Sequence, residues 1–256
     1  LTGKIVLPER IIEGGTLQIE DGVITEIFEN SLPEAEGDGS FWILPGFIDV
    51  HLHGLGNGTS SDLNGIINMA AFAPSTGVTR LCPTLGPVEL PVILRYLKNI
   101  CKLVNDPPQG ALVAGAHLEG PYMNMKRPGG MDIRLLRLPN TNEVKQMLQL
   151  AGRTLKIITL SPEIPGINAI IKMCSDAGCV VSAGHMSRGT SNAGTYSSLT
   201  LKEDISFLLT SSIGRGASSS TVPADVISTF LVSSTLGLNS SLNLSRSLFN
   251  SSSDLF

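Results

Sequence analysis

Two patterns of apolar and polar positions divide the chain. Near the N-terminus, residues 16–20 and 23–27 alternate in polarity around Asp21-Gly22, which predicts a β-hairpin. From residue 47 onward, continuous apolar runs alternate with amphipathic segments, which predicts buried parallel strands separated by helices. The predicted strands are 47–50, 78–82, 111–118, 155–160 and 179–184, and the predicted helices are 65–75, 89–104, 141–151 and 166–177.

This order of elements predicts an α/β fold of the TIM-like (β/α)8 barrel type. Only five strand–helix units are visible by residue 190, so we expect a barrel that is incomplete at the C-terminus. The predicted organisation is a small β-rich domain over 1–44, a barrel portion over 45–194 and an atypical tail over 195–256. The tail has 18 serines in 62 residues. A gene-model artefact such as a frameshift, or a disordered Ser-rich C-terminus, would explain this composition.

Composition and charge give no support to several classes of function. A net charge of -4 offers no reason to expect nucleic acid or an anionic membrane as a partner. No apolar run reaches the roughly 18 residues that span a bilayer. The four cysteines lack C-x-x-C spacing, so we expect reduced, mostly buried thiols and a cytoplasmic location.

The histidines supply the candidate chemistry, because all four lie in or beside three short motifs at predicted strand ends. His51 and His53 flank a single residue on a strand, so alternation places both side chains on one face. On an inward face, both imidazoles could bind one cation. A pair of polar residues inside the barrel, without metal, is the alternative.

Glu119 and His185 extend this candidate metal set. A carboxylate at the mouth of a barrel is costly to bury unless it is paired or bound to a cation, and Glu119 follows the apolar run 111–116. Pairing of Glu119 with Lys126 or Arg127 is the alternative. His185 ends the run 179–184, where small residues leave space for a metal, although a core histidine would fit as well.

Two further features flank the candidate ligands. His117 lies two residues before Glu119 and shares its face, so we expect it to support the site rather than to bind metal. The loop Lys126–Gly130 is basic and rich in glycine, which suits a phosphate group or sugar hydroxyls. An ordinary solvated surface loop is the alternative for this segment.

Together these residues resemble the amidohydrolase superfamily and, within it, the N-acetylglucosamine-6-phosphate deacetylase family. The Pro-Gly-Phe-Ile-Asp motif at Pro45–Asp49 is typical of the superfamily, and the His-Leu-Glu-Gly-Pro motif at His117–Pro121 is far more specific to the deacetylases. The resemblance covers about residues 14–193. The matching segments are Leu44–Gly54, Gly77–Thr79 with Cys82–Thr84, His117–Tyr122, Thr159–Glu163 and Val181–His185.

The resemblance implies a metal-dependent barrel of the amidohydrolase type with a small β-sandwich built from both chain ends. It implies hydrolysis of the acetamide of N-acetylglucosamine 6-phosphate, a small amino-sugar phosphate, and it leaves a homodimer open. The implied cofactor is a divalent metal, with zinc expected first and iron or another divalent ion as alternatives. The implied ligands are Glu119 and His185, with His51 and His53 at a second metal position, and the implied substrate-binding residues are Gly130 and Met131.

The sequence also departs from the family pattern. Thr210-Ser211 stands where the family has a metal-binding Thr-His, and no histidine follows His185. The family's catalytic Asp has no counterpart, so the catalytic residue is unassigned and we expect weak or absent activity. The alternatives are another amidohydrolase acting on a cyclic amide or dipeptide, and a non-catalytic remnant that binds metal or sugar phosphate.

Overall fold

The computed structural model describes residues 1–37 and 39–187, which fall into two compact units. The first unit contains Leu1–Phe47, and the second begins at Ile48. The predictions made for the tail 195–256 lie outside the described residues. Within the described part of the chain, no helix is both long and apolar enough to cross a membrane.

A four-stranded sheet forms the first unit. Its strands lie in the order β3-β2-β1-β4, with antiparallel pairing of β1 to β2 and β2 to β3, and with β4 parallel to β1. The predicted hairpin is confirmed, since both turn residues, Asp21 and Gly22, have the positive φ that such tight turns require. The described residues of this unit form one sheet layer. Its strands are β1 (Thr2–Val6), β2 (Ile11–Glu20), β3 (Val23–Phe28) and β4 (Trp42–Ile43).

The second unit is a half-barrel of parallel strands. Five strands lie side by side in chain order, β5, β8, β10, β11 and β12, and each of the four intervals between them carries a helix. The strands are β5 (Phe47–Leu52), β8 (Val78–Leu85), β9 (Leu112–Val113), β10 (Ala116–Glu119), β11 (Leu155–Leu160) and β12 (Val180–Ala183), with a small hairpin of β6 (Gly54–Leu55) and β7 (Gly58–Thr59). The helices are α1 (Leu63–Phe72), α2 (Leu90–Asn105), α3 (Thr141–Ala151) and α4 (Ile167–Asp176).

Strand and helix positions agree closely with the apolar pattern, and two differences have local causes. The predicted helix 65–75 ends at Phe72 and continues as a 3-10 turn, since Pro74 has no N–H for a further α-helical bond. The predicted strand 111–118 is two strands, β9 and β10. Gly115 between them has φ +156°, and a Cβ there would lie 2.5 Å from the Thr154 carbonyl oxygen.

The helices cover the half-barrel by burying their apolar faces against the strands. Each buried Leu, Ile or Met side chain contributes about 1.5–3 kcal/mol relative to exposure, so these faces hold the sheet in place. Asp62 caps the start of α1 by accepting from the Gly65 N–H, and Asn140 caps α3 in the same way. The core includes Ile66 and Met69 of α1, Leu97 and Ile100 of α2, Met147 of α3, Ile170 of α4 and Leu118 and Ile158 of the strands.

Candidate metal centre

Three strands of the half-barrel bring the four candidate ligands to one rim. His51 lies in β5 and His53 directly follows it, Glu119 is the last residue of β10, and His185 follows the end of β12. The carboxyl ends of parallel strands meet at the same side of a barrel, where active sites of this fold lie. The positions predicted from strand-end chemistry are therefore adjacent in space.

Glu119 is the centre of this group. Its Oε2 lies 3.0 Å from His53 Nε2 and 3.4 Å from His51 Nε2, and its Oε1 lies 3.3 Å from His185 Nε2. The ligand atoms of His51, His53 and Glu119 all lie within 4.8 Å of one another, close enough to hold one metal ion. Among the described residues, the ionic partners of Glu119 are these histidines, so its alternative pairing with Lys126 or Arg127 is wrong.

Hydrogen bonds fix the orientation of two of the imidazole rings. The Nδ1 atom of His53 is 2.9 Å from the Thr84 carbonyl oxygen, and that of His185 is 3.0 Å from the Arg127 carbonyl oxygen. A carbonyl only accepts, so each Nδ1–H donates, and each Nε2 is left on the side of Glu119. This tautomer is the one that binds a cation through Nε2, with the ring held by a backbone oxygen as is usual for metal-binding histidines.

The charges of the group are strongly coupled. Burial alone would raise the pKa of Glu119, but hydrogen bonds from His185, His51 and His53 lower it far below the ordinary range. The same carboxylate, through a hydrogen bond that outweighs burial, raises the pKa of His53 and of His185. Glu119 is therefore a permanent anion at neutral pH, and it concentrates positive charge at this rim.

His117 occupies a different environment although it lies in the same motif as Glu119. Its Nδ1 donates to the Val50 carbonyl at 2.8 Å, and its Nε2 accepts from the Thr159 hydroxyl at 2.8 Å. Burial, aided by the nearby His51, lowers the pKa of His117 to about 3, so the ring is neutral. Both ring nitrogens are engaged in these hydrogen bonds, and through them His117 joins β5, β10 and β11 next to the candidate ligands.

The loop after β10 lies beside His185. The ring of His185 donates to the carbonyl of Arg127, and a Cβ on Gly129 would stand 3.0 Å from its Cε1 atom. Gly129 has φ +60°, which favours glycine. The structure thus places Gly130, which is exposed, and Met131, which is partly buried, one and two residues beyond a direct neighbour of the candidate metal ligand.

Several supporting residues received no role from the sequence. Thr84 is fully buried, accepts the Leu52 N–H through its hydroxyl, and holds His53 through its carbonyl. A buried polar residue inside an apolar strand is the one local signal that could have identified Thr84 and Thr159. Asn124 lay in a loop without any motif, and Ser161 and Glu163 were noticed only as members of the matching segment Thr159–Glu163, although the three form a connected set of hydrogen bonds at the same rim.

A parallel half-barrel with histidines and a carboxylate at its strand ends is the arrangement that the resemblance to the metal-dependent amidohydrolases implies. No protein-family model matches the chain. Comparison with individual proteins is more specific, and it points to the deacetylases of amino-sugar phosphates.

Two curated relatives illustrate this similarity. The chain is 29% identical over 173 residues to N-acetylglucosamine-6-phosphate deacetylase of Lysinibacillus sphaericus, covering 65% of this chain and 44% of that protein. It is 28% identical over 184 residues to N-acetylgalactosamine-6-phosphate deacetylase of Escherichia coli O157:H7, covering 71% of this chain and 48% of the relative. The chain thus spans about half the length of the curated relatives it matches.

Solved structures agree with the sequence relatives. The crystal structure of N-acetyl-D-glucosamine-6-phosphate deacetylase from Mycobacterium smegmatis has a TM-score of 0.62 and 27% sequence identity, over 72% of this chain and 49% of that one. A mutant of that enzyme has been solved in complex with N-acetyl-D-glucosamine-6-phosphate. The resemblance to N-acetylglucosamine-6-phosphate deacetylases predicted from the motifs is confirmed.

Proposed function

We propose that His51, His53, Glu119 and His185 bind divalent metal, with Glu119 shared between two positions. The observation that carries this proposal is the division of the Glu119 carboxylate, whose Oε2 faces His51 and His53 while Oε1 faces His185. A donor set of imidazole nitrogens and one carboxylate suits zinc first, and iron or another divalent ion as alternatives.

We further propose that the chain is the metal-binding half of an enzyme that removes the acetyl group from N-acetylglucosamine 6-phosphate. A bound metal would polarise the amide carbonyl and lower the pKa of water toward about 7. Glu119 and the three histidines would hold the metal at the two proposed positions. The loop 126–131, with the exposed cations Lys126 and Arg127 and the backbone of Gly130 and Met131, would bind the phosphate or the sugar hydroxyls.

The stereochemistry of the sugar defines a second candidate. The relative from Escherichia coli is named for the galacto sugar, so N-acetylgalactosamine 6-phosphate, which differs at one hydroxyl, is the other substrate to test. Each substrate presents the same acetamide to the metal and the same phosphate to the basic loop. Discrimination between them would depend on contacts to that one hydroxyl.

The wider organisation of the protein is part of the same proposal. We propose a small domain over 1–44, with a further sheet layer completing a β-sandwich, and a barrel domain beginning at 45. A cytoplasmic location is supported by the four cysteines, which are all free thiols. A homodimer, and small amino-sugar phosphates rather than nucleic acid or membranes as binding partners, complete the proposal.

Metal content and acetate release test this function. Zinc-loaded protein should retain metal after desalting, and N-acetylglucosamine 6-phosphate should raise its Tm more than unphosphorylated N-acetylglucosamine does. All four candidate ligands would be engaged by metal, and no residue is assigned to protonate the leaving amine. We therefore expect acetate release barely above the background without enzyme. Turnover of about 1 s⁻¹ or faster would contradict this expectation, and failure to retain metal would refute the site.

A further inference from the structure

The C-terminal end of β11 contributes none of the four candidate ligands, yet it contacts the segment that carries one of them. Ser161 and Glu163 directly follow this strand. Both side chains form hydrogen bonds with residues 184–187, the segment that follows β12 and contains His185. The metal site itself leaves these contacts without an explanation.

Ser161 holds the chain on the N-terminal side of this segment. Its side chain is fully buried, and its hydroxyl lies 2.9 Å from the Gly184 carbonyl oxygen and 3.1 Å from that of His185. The same hydroxyl accepts the Asn124 N–H at 2.9 Å. One side chain therefore connects the turn after β12 with the loop after β10, which begins directly after Glu119.

Glu163 holds the other side of the segment. Its Oε1 accepts from the Ser187 N–H at 2.9 Å and from the Asn124 amide Nδ2 at 2.7 Å. Asn124 closes the set because its Nδ2 also lies 2.9 Å from the Ser187 hydroxyl. Ser187, two residues after His185, is thus held by the Glu163 carboxylate and the Asn124 amide, which follow the ends of two other strands.

The backbone conformation of His185 explains why these contacts are needed. His185 has φ +53°, a left-handed conformation that is uncommon for a residue other than glycine and that surrounding contacts must maintain. The direction of its ring toward Glu119 depends on that conformation. Relaxation of φ toward ordinary values would swing the Cα–Cβ bond, and Nε2 would leave the carboxylate.

We propose that Glu163, acting through Ser187 and Asn124, is a positioning residue that keeps His185 in place to bind metal. This inference rests on the proposed metal site and does not depend on deacetylation. Loss of a group hydrogen-bonded directly to a metal ligand commonly lowers metal affinity by about 10–100-fold, and Glu163 acts one contact further out, so we expect an effect of about 10-fold. Because His51 and His53 do not depend on this segment, their share of the site should survive the loss of Glu163.

A pair of substitutions separates positioning from general stability. Glu163→Ala removes the acceptor, whereas Glu163→Gln keeps a carbonyl oxygen for both bonds. In Glu163→Gln, the NH2 group would take the place of Oε2, an atom that is buried and has no hydrogen-bond partner among the described residues. Titration with Co²⁺, followed by the visible absorption of the bound ion, should show affinity about 10-fold weaker for Glu163→Ala. Glu163→Gln should stay within about threefold of the parent.

Glu143→Ala is the matched control, because Glu143 is a similarly enclosed carboxylate that pairs with Arg137 and Tyr122 and not with residues 184–187. It should lower the Tm without changing the Co²⁺ spectrum. If Glu163→Ala does not fold, Asn124→Ser removes the same amide donor and should give the same loss. Equal Co²⁺ affinity in the parent, Glu163→Ala and Asn124→Ser would overturn the positioning role alone. A parent protein that binds no Co²⁺ would overturn the metal site and this inference together.

Discussion

Replacing Glu119 by Gln keeps the shape of the side chain and removes its charge. In the structure, the two carboxylate oxygens face histidine nitrogens on two sides, at 3.0–3.4 Å. Glutamine offers one oxygen, so its NH2 group must face either the pair His51 and His53 or His185. An NH2 group cannot bind a cation, so one side of the site loses its oxygen ligand altogether and the other keeps only a neutral carbonyl oxygen.

The expected loss of zinc affinity in Glu119→Gln follows from the effect of removing less direct partners of a metal. Removing an outer-shell partner costs about 10–100-fold in metal affinity, and Glu119 would contact the metal directly. We therefore expect Glu119→Gln to bind zinc at least about 100-fold more weakly, a difference of about 2.7 kcal/mol. At a free zinc concentration about 100 times the parent Kd, zinc would stabilise the parent by about 2.7 kcal/mol and the variant by about 0.4 kcal/mol.

Thermal unfolding with and without zinc measures this difference. A domain of about 150–250 residues shifts its Tm by about 2–4 °C per kcal/mol, so zinc should raise the Tm of the parent by about 5–11 °C and that of the variant by about 1–2 °C. Glu143→Gln makes the same chemical change away from the histidines, and its response to zinc should equal that of the parent. An unchanged zinc response in Glu119→Gln would show that Glu119 is not a ligand.

Three further predictions concern pH, the buried histidine and the adjacent loop. The pKa values of His53 and His185 are raised in the folded protein, so protonation of these rings stabilises the metal-free protein below about pH 6.5, and this stabilisation is lost as the pH rises through the folded pKa values. Urea unfolding in EDTA should therefore show lower stability at pH 8 than at pH 6. The stabilisation by zinc should increase over the same interval. His117→Phe removes the hydrogen bonds to the Thr159 hydroxyl and the Val50 carbonyl, so we expect the free energy of unfolding, measured by chemical denaturation, to fall by about 2–4 kcal/mol. A fall under about 0.5 kcal/mol would contradict the role assigned to these hydrogen bonds. Gly129 has φ +60°, and Gly129→Ala would bring a Cβ to 3.0 Å from the His185 ring. The variant should therefore bind zinc more weakly when its Kd is measured by calorimetry. A Kd equal to that of the parent would show that the loop moves aside without disturbing His185.

The half-barrel was predictable because its signals are local. Continuous apolar runs mark buried strands, and amphipathic segments between them mark helices, so β11 and α3 have the predicted bounds. The proximity of the four candidate ligands was predictable for a related reason, since each follows an apolar run and parallel strands end at one rim. The division between β9 and β10 depends instead on the close approach of Gly115 to the Thr154 carbonyl oxygen, which no local pattern of the sequence encodes.

The supporting residues of the site were not predictable from such patterns. Thr84 binds the Leu52 N–H across 32 positions of the chain, and His117 binds the Val50 carbonyl across 67. These bonds depend on which strands are neighbours and on the stagger between them. A hydrogen-bonding side chain in an apolar run signals that a partner is needed, but it does not identify the partner.

The order of the strands gives Glu119 a mechanical significance. Among the described strands of this sheet, β5 and β12 lie at the two ends of the order, and β10, which carries Glu119, lies in the middle. Ions at the two proposed positions, one beside His51 and one beside His185, would share Glu119 and so connect the two end strands, closing a large loop of chain whose closure entropy depends only weakly on its length. End strands are ordinarily the first parts of a sheet to fray, and here the ions that serve chemistry would join the described ones into one cooperative unit.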